Sequence, residues 1–160
     1  MHQSDPTTAR TAPELIRAMT EAFGDKPAVV LGDEVLTYRQ LDARSAELAA
    51  WLLSRGVGKA TRIGILYANS PSWVVAWAAI TRVGAVAVPL STFSKAPELA
   101  RVIRHADLHG LIVQRTFLNQ DFERLLEDAF PALADQSPEL RLVEAPFLRW
   151  IVLDLSLIHI

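Results

Sequence analysis

A chain of 160 residues is long enough to bury a sizeable core, and a hydrophobic fraction of 51% excludes an intrinsically disordered protein. The net charge of −2 and the lack of a basic stripe predict that nucleic acid is not a partner. Because the chain has no cysteine, disulfides and thiolate metal sites are excluded, and a cytoplasmic location is expected.

The predicted elements begin with a helix over residues 13–23, behind a polar and flexible amino terminus, residues 1–12. That terminus lacks the charged and apolar regions of a secretory signal. The stretches PAVVL and EVLTY flank Gly32 and Asp33, which predicts a small hairpin.

A long helix is predicted to start at Thr37, because Thr37 and Gln40 have the spacing of a capping box. Gly56 is expected to end this helix, since helices often end with a left-handed residue. One face of the helix is predicted to be apolar, and it is made of Leu41, Leu48 and Leu52, with support from Ala49 and Leu53.

Strands and helices alternate in the rest of the chain. Strands are predicted at residues 62–66, 85–90, 110–113 and 150–154, and helices at residues 71–83, 97–106 and 121–130. Strands that are apolar throughout and separated by helices indicate parallel β-α-β units with both sheet faces covered, an α/β fold. Residues 73–90 have the length of a membrane span, but Arg82, Gly84 and Pro89 interrupt them. We therefore predict a buried helix and strand there, and no transmembrane segment.

Two short motifs suggest ligand sites but have simpler explanations. GVGKAT, residues 56–61, differs from a phosphate loop at two positions, and it follows a helix where a phosphate loop opens one. HADLH brings His105, Asp107 and His109 together in sequence, but they span a helix end and a turn. We expect solvated turn residues there and no metal site.

The loop STFSKAPE, residues 91–98, has the placement of a ligand site, because it leaves the carboxyl end of a predicted parallel strand. Its hydroxyls and Lys95 are able to bind an anion, and they are equally able to cap the following helix. We favour capping, since Glu98 in the first turn already complements the helix dipole.

Three stretches together resemble the adenylate-forming enzyme superfamily, most closely its AMP-forming acyl-CoA synthetases. They are LTYRQLDARSAELAAWLLSRGV, RIGILYANSPSW and TRVGAVAVPLSTFSKAPELARVIRHAD. The resemblance covers roughly residues 13–154 and implies parallel β-α-β units of the amino-terminal subdomain. The matching residues are Leu36, Thr37, Tyr38, Leu41, Asn69, Pro71, Trp73, Gly84, Ala85, Val88, Pro89, Glu98, Leu99 and Asp107.

The resemblance implies a reaction for the parent protein. With ATP and Mg²⁺, a fatty or related carboxylic acid forms an acyl-adenylate and pyrophosphate, and coenzyme A then displaces AMP. The family's phosphate loop, its nucleotide motifs and its adenylation lysine are missing here. The resemblance therefore assigns no catalytic, cofactor-binding or metal residue, and this fragment is expected to be inactive and to bind none of these cofactors.

Two alternatives remain open from the sequence. One is an adenylating ligase with a carrier-protein acceptor, and the other is a complete, non-enzymatic α/β binding module. The last six residues, LSLIHI, match a translation of the transposase end sequence used as an adaptor in sequencing libraries. The expected organisation is thus a partial AMP-binding domain, residues 13–154, followed by adaptor read-through, residues 155–160.

Overall fold

The computed structural model describes residues 6–135 and 140–154 of the chain. The proposed adaptor segment, residues 155–160, lies outside the described residues, as do residues 1–5 of the polar amino terminus. The chain divides into two compact units, each built from separate stretches. Unit 1 comprises Met1–Lys59 with Asn69–Ala85, and unit 2 comprises Ala60–Ala68 with Val86–Ile160.

Unit 1 contains three helices and a hairpin. They are α1 (Ala12–Phe23), β1 (Pro27–Leu31), β2 (Glu34–Thr37), α2 (Tyr38–Ser54) and α3 (Pro71–Arg82), after a short 3-10 helix at Pro6–Thr8. The predicted hairpin is confirmed, with Val30 opposite Val35 in an antiparallel pair. Helix α1 starts one residue earlier than predicted, because Thr11 and Glu14 form a capping box at its amino end.

The predicted helix ends of unit 1 are confirmed by their hydrogen bonds. The Gln40 amide N–H donates to Thr37 Oγ1 at 3.2 Å, and the Thr37 N–H donates to Gln40 Oε1 at 2.9 Å. At the start of α3, the Trp73 N–H donates to Ser70 Oγ at 3.1 Å. Gly56, after α2, has a φ of 75°, the left-handed conformation that the sequence predicts there.

The apolar face of α2 is narrower than predicted. Leu41, Leu48, Ala49 and Leu52 are buried, but the side chain of Leu53 is 58% exposed. The prediction for Leu53 is wrong because each residue turns the helix by about 100°, which carries position 53 away from the buried face.

A polar contact joins α2 to α3 inside unit 1. Arg82 Nη2 donates to the Asp42 carboxylate, to the Asp42 carbonyl oxygen at 3.4 Å and to Ser45 Oγ at 3.2 Å. Ser45 is fully buried. The guanidinium thus satisfies a buried hydroxyl and the start of α2 together.

Unit 2 is built on a parallel sheet of four strands in the order β4-β3-β5-β8. The strands are β3 (Arg62–Leu66), β4 (Val86–Pro89), β5 (Gly110–Val113) and β8 (Trp150–Leu153). Helices α4 (Ala96–His105) and α5 (Phe122–Ala129) connect them, and a hairpin of β6 (Thr116–Phe117) and β7 (Gln120–Asp121) precedes α5. The α/β fold and its parallel strands are therefore confirmed, whereas the small hairpin was not predicted.

The centre of this sheet is closely packed. Strands β3 and β5 are buried over almost their whole length, while the edge strands β4 and β8 are partly exposed. A Cβ atom on Gly64 of β3 would lie 2.7 Å from Leu108 Cδ1 and 2.8 Å from Leu111 Cδ2. Only glycine fits there without displacing the leucines, so position 64 is fixed by packing.

Between α5 and β8, the chain is held by regularly spaced apolar residues. A 3-10 helix at Pro131–Asp135 follows α5, and further along the chain Leu142, Ala145 and Leu148 are buried. The spacing of three residues turns the intervening side chains toward solvent. In the described ranges, no helix has both the length and the apolar character needed to cross a membrane.

Candidate functional site

The candidate site is the carboxyl edge of the unit 2 sheet. All four strands run in the same direction, so their carboxyl ends meet at one edge. In open α/β sheets, ligands bind at this edge. Residues after β4, β3 and β5 therefore determine what the edge offers to a ligand.

The loop after β4 is held by its own hydrogen bonds. The Phe93 N–H donates to Ser91 Oγ at 3.2 Å, and the Lys95 N–H donates to Glu98 Oε2 at 3.0 Å. Glu98 caps α4 and Ser91 shapes the loop, which supports the capping interpretation. The side chain of Lys95 is exposed, and a role for it in anion binding stays a prediction.

Gln114 joins the ends of the two central strands. Its N–H donates to the Leu66 carbonyl oxygen at 2.9 Å, and its Oε1 accepts a hydrogen bond from the Ala68 N–H at 3.0 Å. The chain beyond β3 is thereby fixed to the end of β5. Our sequence interpretation missed Gln114, although a polar residue directly after the apolar strand GLIV is a recognisable signal.

A pocket of about 390 Å³ lies beside β8. It is lined by Arg115, Glu123, Leu126, Glu127, Leu133, Ile151 and Leu153. Arg115 forms an ion pair with Glu123, and Glu127 adds a second carboxylate, so the three charged lining residues have a net charge of −1. The pocket therefore does not attract anions.

The residues of HADLH do not converge on one point. His105 is the last residue of α4, and Asp107 Oδ2 lies 3.5 Å from Arg62 Nη1. Burial lowers the pKa of His109, and the positive charge of Arg149 lowers it further. Within residues 6–135 and 140–154, no group of three or more His, Asp or Glu residues is able to hold a metal ion.

The carboxyl edge does not fit ATP with Mg²⁺ from the described residues alone. Its donors are engaged within the protein, since Gln114 binds the Ala68 backbone and Arg115 pairs with Glu123. Neither sheet glycine leaves room for a phosphate, because leucines surround Gly64 and the Trp150 ring covers Gly110. The loop at Gly56 follows a helix and enters β3, the reverse of a phosphate loop.

Comparison with known proteins places these observations in context. Residues 16–151 match the AMP-binding enzyme family. The chain is 37% identical over 92 residues to the medium/long-chain-fatty-acid–CoA ligase FadD6 of Mycobacterium tuberculosis, which covers 58% of this chain and 15% of that protein. It is 32% identical over 123 residues to a linear gramicidin synthase of Brevibacillus parabrevis, which covers 75% of this chain and 2% of that protein.

A solved structure shows the same fold. The anthranilate CoA ligase AuaEII, in complex with anthranoyl-AMP, matches with a TM-score of 0.74 at 24% identity, over 94% of this chain and 26% of that chain. The chain spans about a quarter of the length of the relatives that it covers most fully.

Proposed function

Because the chain belongs to the AMP-binding enzyme family, the adenylate-forming enzymes, we propose that it is the amino-terminal part of an acyl-CoA synthetase. The whole protein would use ATP and Mg²⁺ to convert a fatty or related carboxylic acid into an acyl-adenylate. It would then transfer the acyl group to coenzyme A. In this proposal, residues 13–154 form part of the AMP-binding domain, and residues 155–160 are adaptor sequence.

The match to the family over residues 16–151 carries this proposal. The relatives named as CoA ligases support coenzyme A as the acceptor and a carboxylic acid as the substrate. The described residues supply the scaffold, namely the buried strands β3 and β5 and the Gln114 contact that joins their ends. Residues beyond this chain would supply the phosphate-binding and catalytic groups, so we propose that the chain alone is inactive.

A carrier protein is the alternative acceptor. The likeness to a linear gramicidin synthase favours it, since that match covers 75% of this chain. Both alternatives share the adenylation step and differ only in the thiol that receives the acyl group.

The test compares the protein encoded by the full reading frame with the 160-residue chain. The full-length protein is expected to exchange labelled pyrophosphate into ATP in the presence of a carboxylic acid, and to form an acyl-CoA detectable by mass spectrometry. The short chain is expected to do neither. Exchange by the short chain would contradict its inactivity. Acyl transfer to a carrier protein but not to coenzyme A would favour the alternative acceptor.

The loop after β4 is tested in the same assay. Lys95→Ala in the full-length protein is expected to leave the KM for ATP and for the acid unchanged, because the Lys95 backbone forms the helix cap. A raised KM for either substrate would instead assign the exposed ammonium to anion binding. Lys26→Ala is the matched control, since it removes a lysine from unit 1. A reading frame that ends near residue 160, with no exchange activity, would support the non-enzymatic binding module.

A further inference from the structure

A second surface of unit 2 lies at the amino edge of the sheet, opposite the candidate site. There, α4 ends and the segment before β8 passes beside it. We call this surface the amino-edge patch, and its members are Arg101, Arg104, Arg141, Val143, Phe147 and Arg149. The burial of Leu142, Ala145 and Leu148 holds the segment in place. The four patch residues of the segment, which lie between and beside these anchors, are exposed.

The patch is continuous in space. Arg104 Nη1 donates to the carbonyl oxygens of Val143 and Glu144 at 3.4 and 3.2 Å, which fixes the segment against α4. Arg104 and Phe147 line one shallow depression. Arg101 lies one turn before Arg104 on the same helix face.

Two apolar side chains of the patch stand in solvent. Val143 is 86% exposed and Phe147 is 54% exposed, although neighbouring apolar residues of the same segment are buried. Exposing them stabilises nothing in the described fold, since burial of apolar surface is what stabilises folded proteins. The shallow depression beside them does not offer the deep pockets that anchor side chains at protein interfaces.

The charge of the patch is opposite to that of the rest of its unit. Four arginines surround one carboxylate, Glu144, which gives the patch and this neighbour a net charge of +3. The other residues in 60–68, 86–135 and 140–154 comprise four basic and eight acidic residues, a net charge of −4. The cations are thus concentrated where the two apolar side chains are exposed. Guanidinium groups bind phosphate oxygens in a bidentate manner.

We propose that the amino-edge patch docks on an anionic lipid surface. Val143 and Phe147 enter the interfacial layer, and the surrounding arginines bind lipid phosphates. Separate apolar side chains among arginines suit a fluid interface better than a shaped protein surface. This proposal concerns the surface of the chain itself and is independent of the reaction proposed above.

The opposite edge of the sheet offers a matched control. Phe93 is 80% exposed, more than Phe147, but its nearest charged neighbours along the chain, Lys95 and Glu98, cancel. If exposed aromatic surface alone caused binding, Phe93 would matter as much as Phe147. If the combination with arginines matters, only Phe147 will count.

The experiment is co-sedimentation of the 160-residue chain with vesicles of phosphatidylcholine, with or without phosphatidylglycerol. We expect binding to the anionic vesicles at low salt, and its loss at high salt. Arg101→Glu is expected to weaken partitioning by about thirtyfold, since each basic residue near an anionic surface contributes about fivefold to tenfold. Phe147→Ser and Val143→Ser are expected to weaken it, while Phe93→Ser and Arg101→Lys are expected to leave it unchanged.

Circular dichroism of each variant confirms that it is folded before binding is compared. Equal loss of binding in Phe93→Ser and Phe147→Ser would overturn the proposal in favour of unspecific apolar adsorption. Failure to bind anionic vesicles at low salt would overturn it directly. Binding to polyglutamate with none to vesicles would overturn it in favour of an acidic protein partner.

Discussion

Replacing Gly64 by alanine tests whether the packing at the centre of the unit 2 sheet determines its stability. The added Cβ would lie 2.7, 2.8 and 3.3 Å from methyl groups of Leu108, Leu111 and Leu90, all of which are buried. Carbon atoms in ordinary contact are about 3.5–4.0 Å apart, so two of these contacts are overlaps of roughly 1 Å. Overpacking of this kind costs about 1–3 kcal/mol.

Part of that cost is offset, because alanine loses roughly 0.5–1 kcal/mol less backbone entropy than glycine on folding. The net expectation is a free energy of unfolding lower by about 1–2 kcal/mol. With a denaturant dependence of about 2 kcal/mol per molar urea, the midpoint should fall by roughly 0.5–1 M. Gly64→Val, which adds two more methyl groups, should lower the midpoint further.

Urea denaturation followed by circular dichroism and tryptophan fluorescence measures this effect. Gly58→Ala is the matched control, because nothing lies within 4 Å of an added Cβ there and the φ of Gly58 is not positive. Its midpoint should stay the same or rise slightly. Equal midpoints for Gly64→Ala and Gly58→Ala would refute the argument that the leucines exclude a side chain at position 64.

Three further changes test individual contacts. Thr37→Ala removes the cap of α2 and should lower the free energy of unfolding by about 1 kcal/mol in urea titrations, whereas Thr37→Ser should not. Asp42→Ala removes the carboxylate partner of Arg82 and should cost about 1–2 kcal/mol in the same titrations, and little loss would show that solvent replaces it. Burial and Arg149 hold the pKa of His109 below the value of 6.5 that the unfolded chain has, so the unfolded chain takes up the proton first. Stability should therefore fall as the pH drops below 6.5, and His109→Gln should reduce that fall in urea midpoints measured across this pH range.

Local chemistry made much of the fold predictable. The start of α2 follows from Thr37 and Gln40, whose mutual hydrogen bonds need only one turn of chain. The start of α3 follows in the same way from Ser70, and Gly56 has the positive φ that its position predicts. Strand Arg62–Leu66 has the predicted bounds, because its apolar run is flanked by polar and flexible residues.

Features that depend on distant parts of the chain were not predictable. The Gln114 contact joins residues 46 positions apart, and no local pattern identifies the backbone N–H that it binds. Leu53 is exposed because of how α2 is oriented, which its composition alone does not reveal. The division into two units, each made of separate stretches, also arises from long-range packing. Of the candidate site, the sequence predicted the placement of the loop after β4 and the helix cap by Glu98.

Strand β3 has a difficult position in the order of synthesis. Its side chains Ile63, Ile65 and Leu66 are fully buried in the finished sheet, where β3 pairs with β4 and β5. The first residue of β5, Gly110, is made 44 residues after Leu66. At about 5–20 residues per second, the ribosome needs roughly 2–9 s to supply that partner. During this interval a nascent apolar strand has one edge without its partner, so chaperone availability should influence the yield of folded protein more than the final stability does.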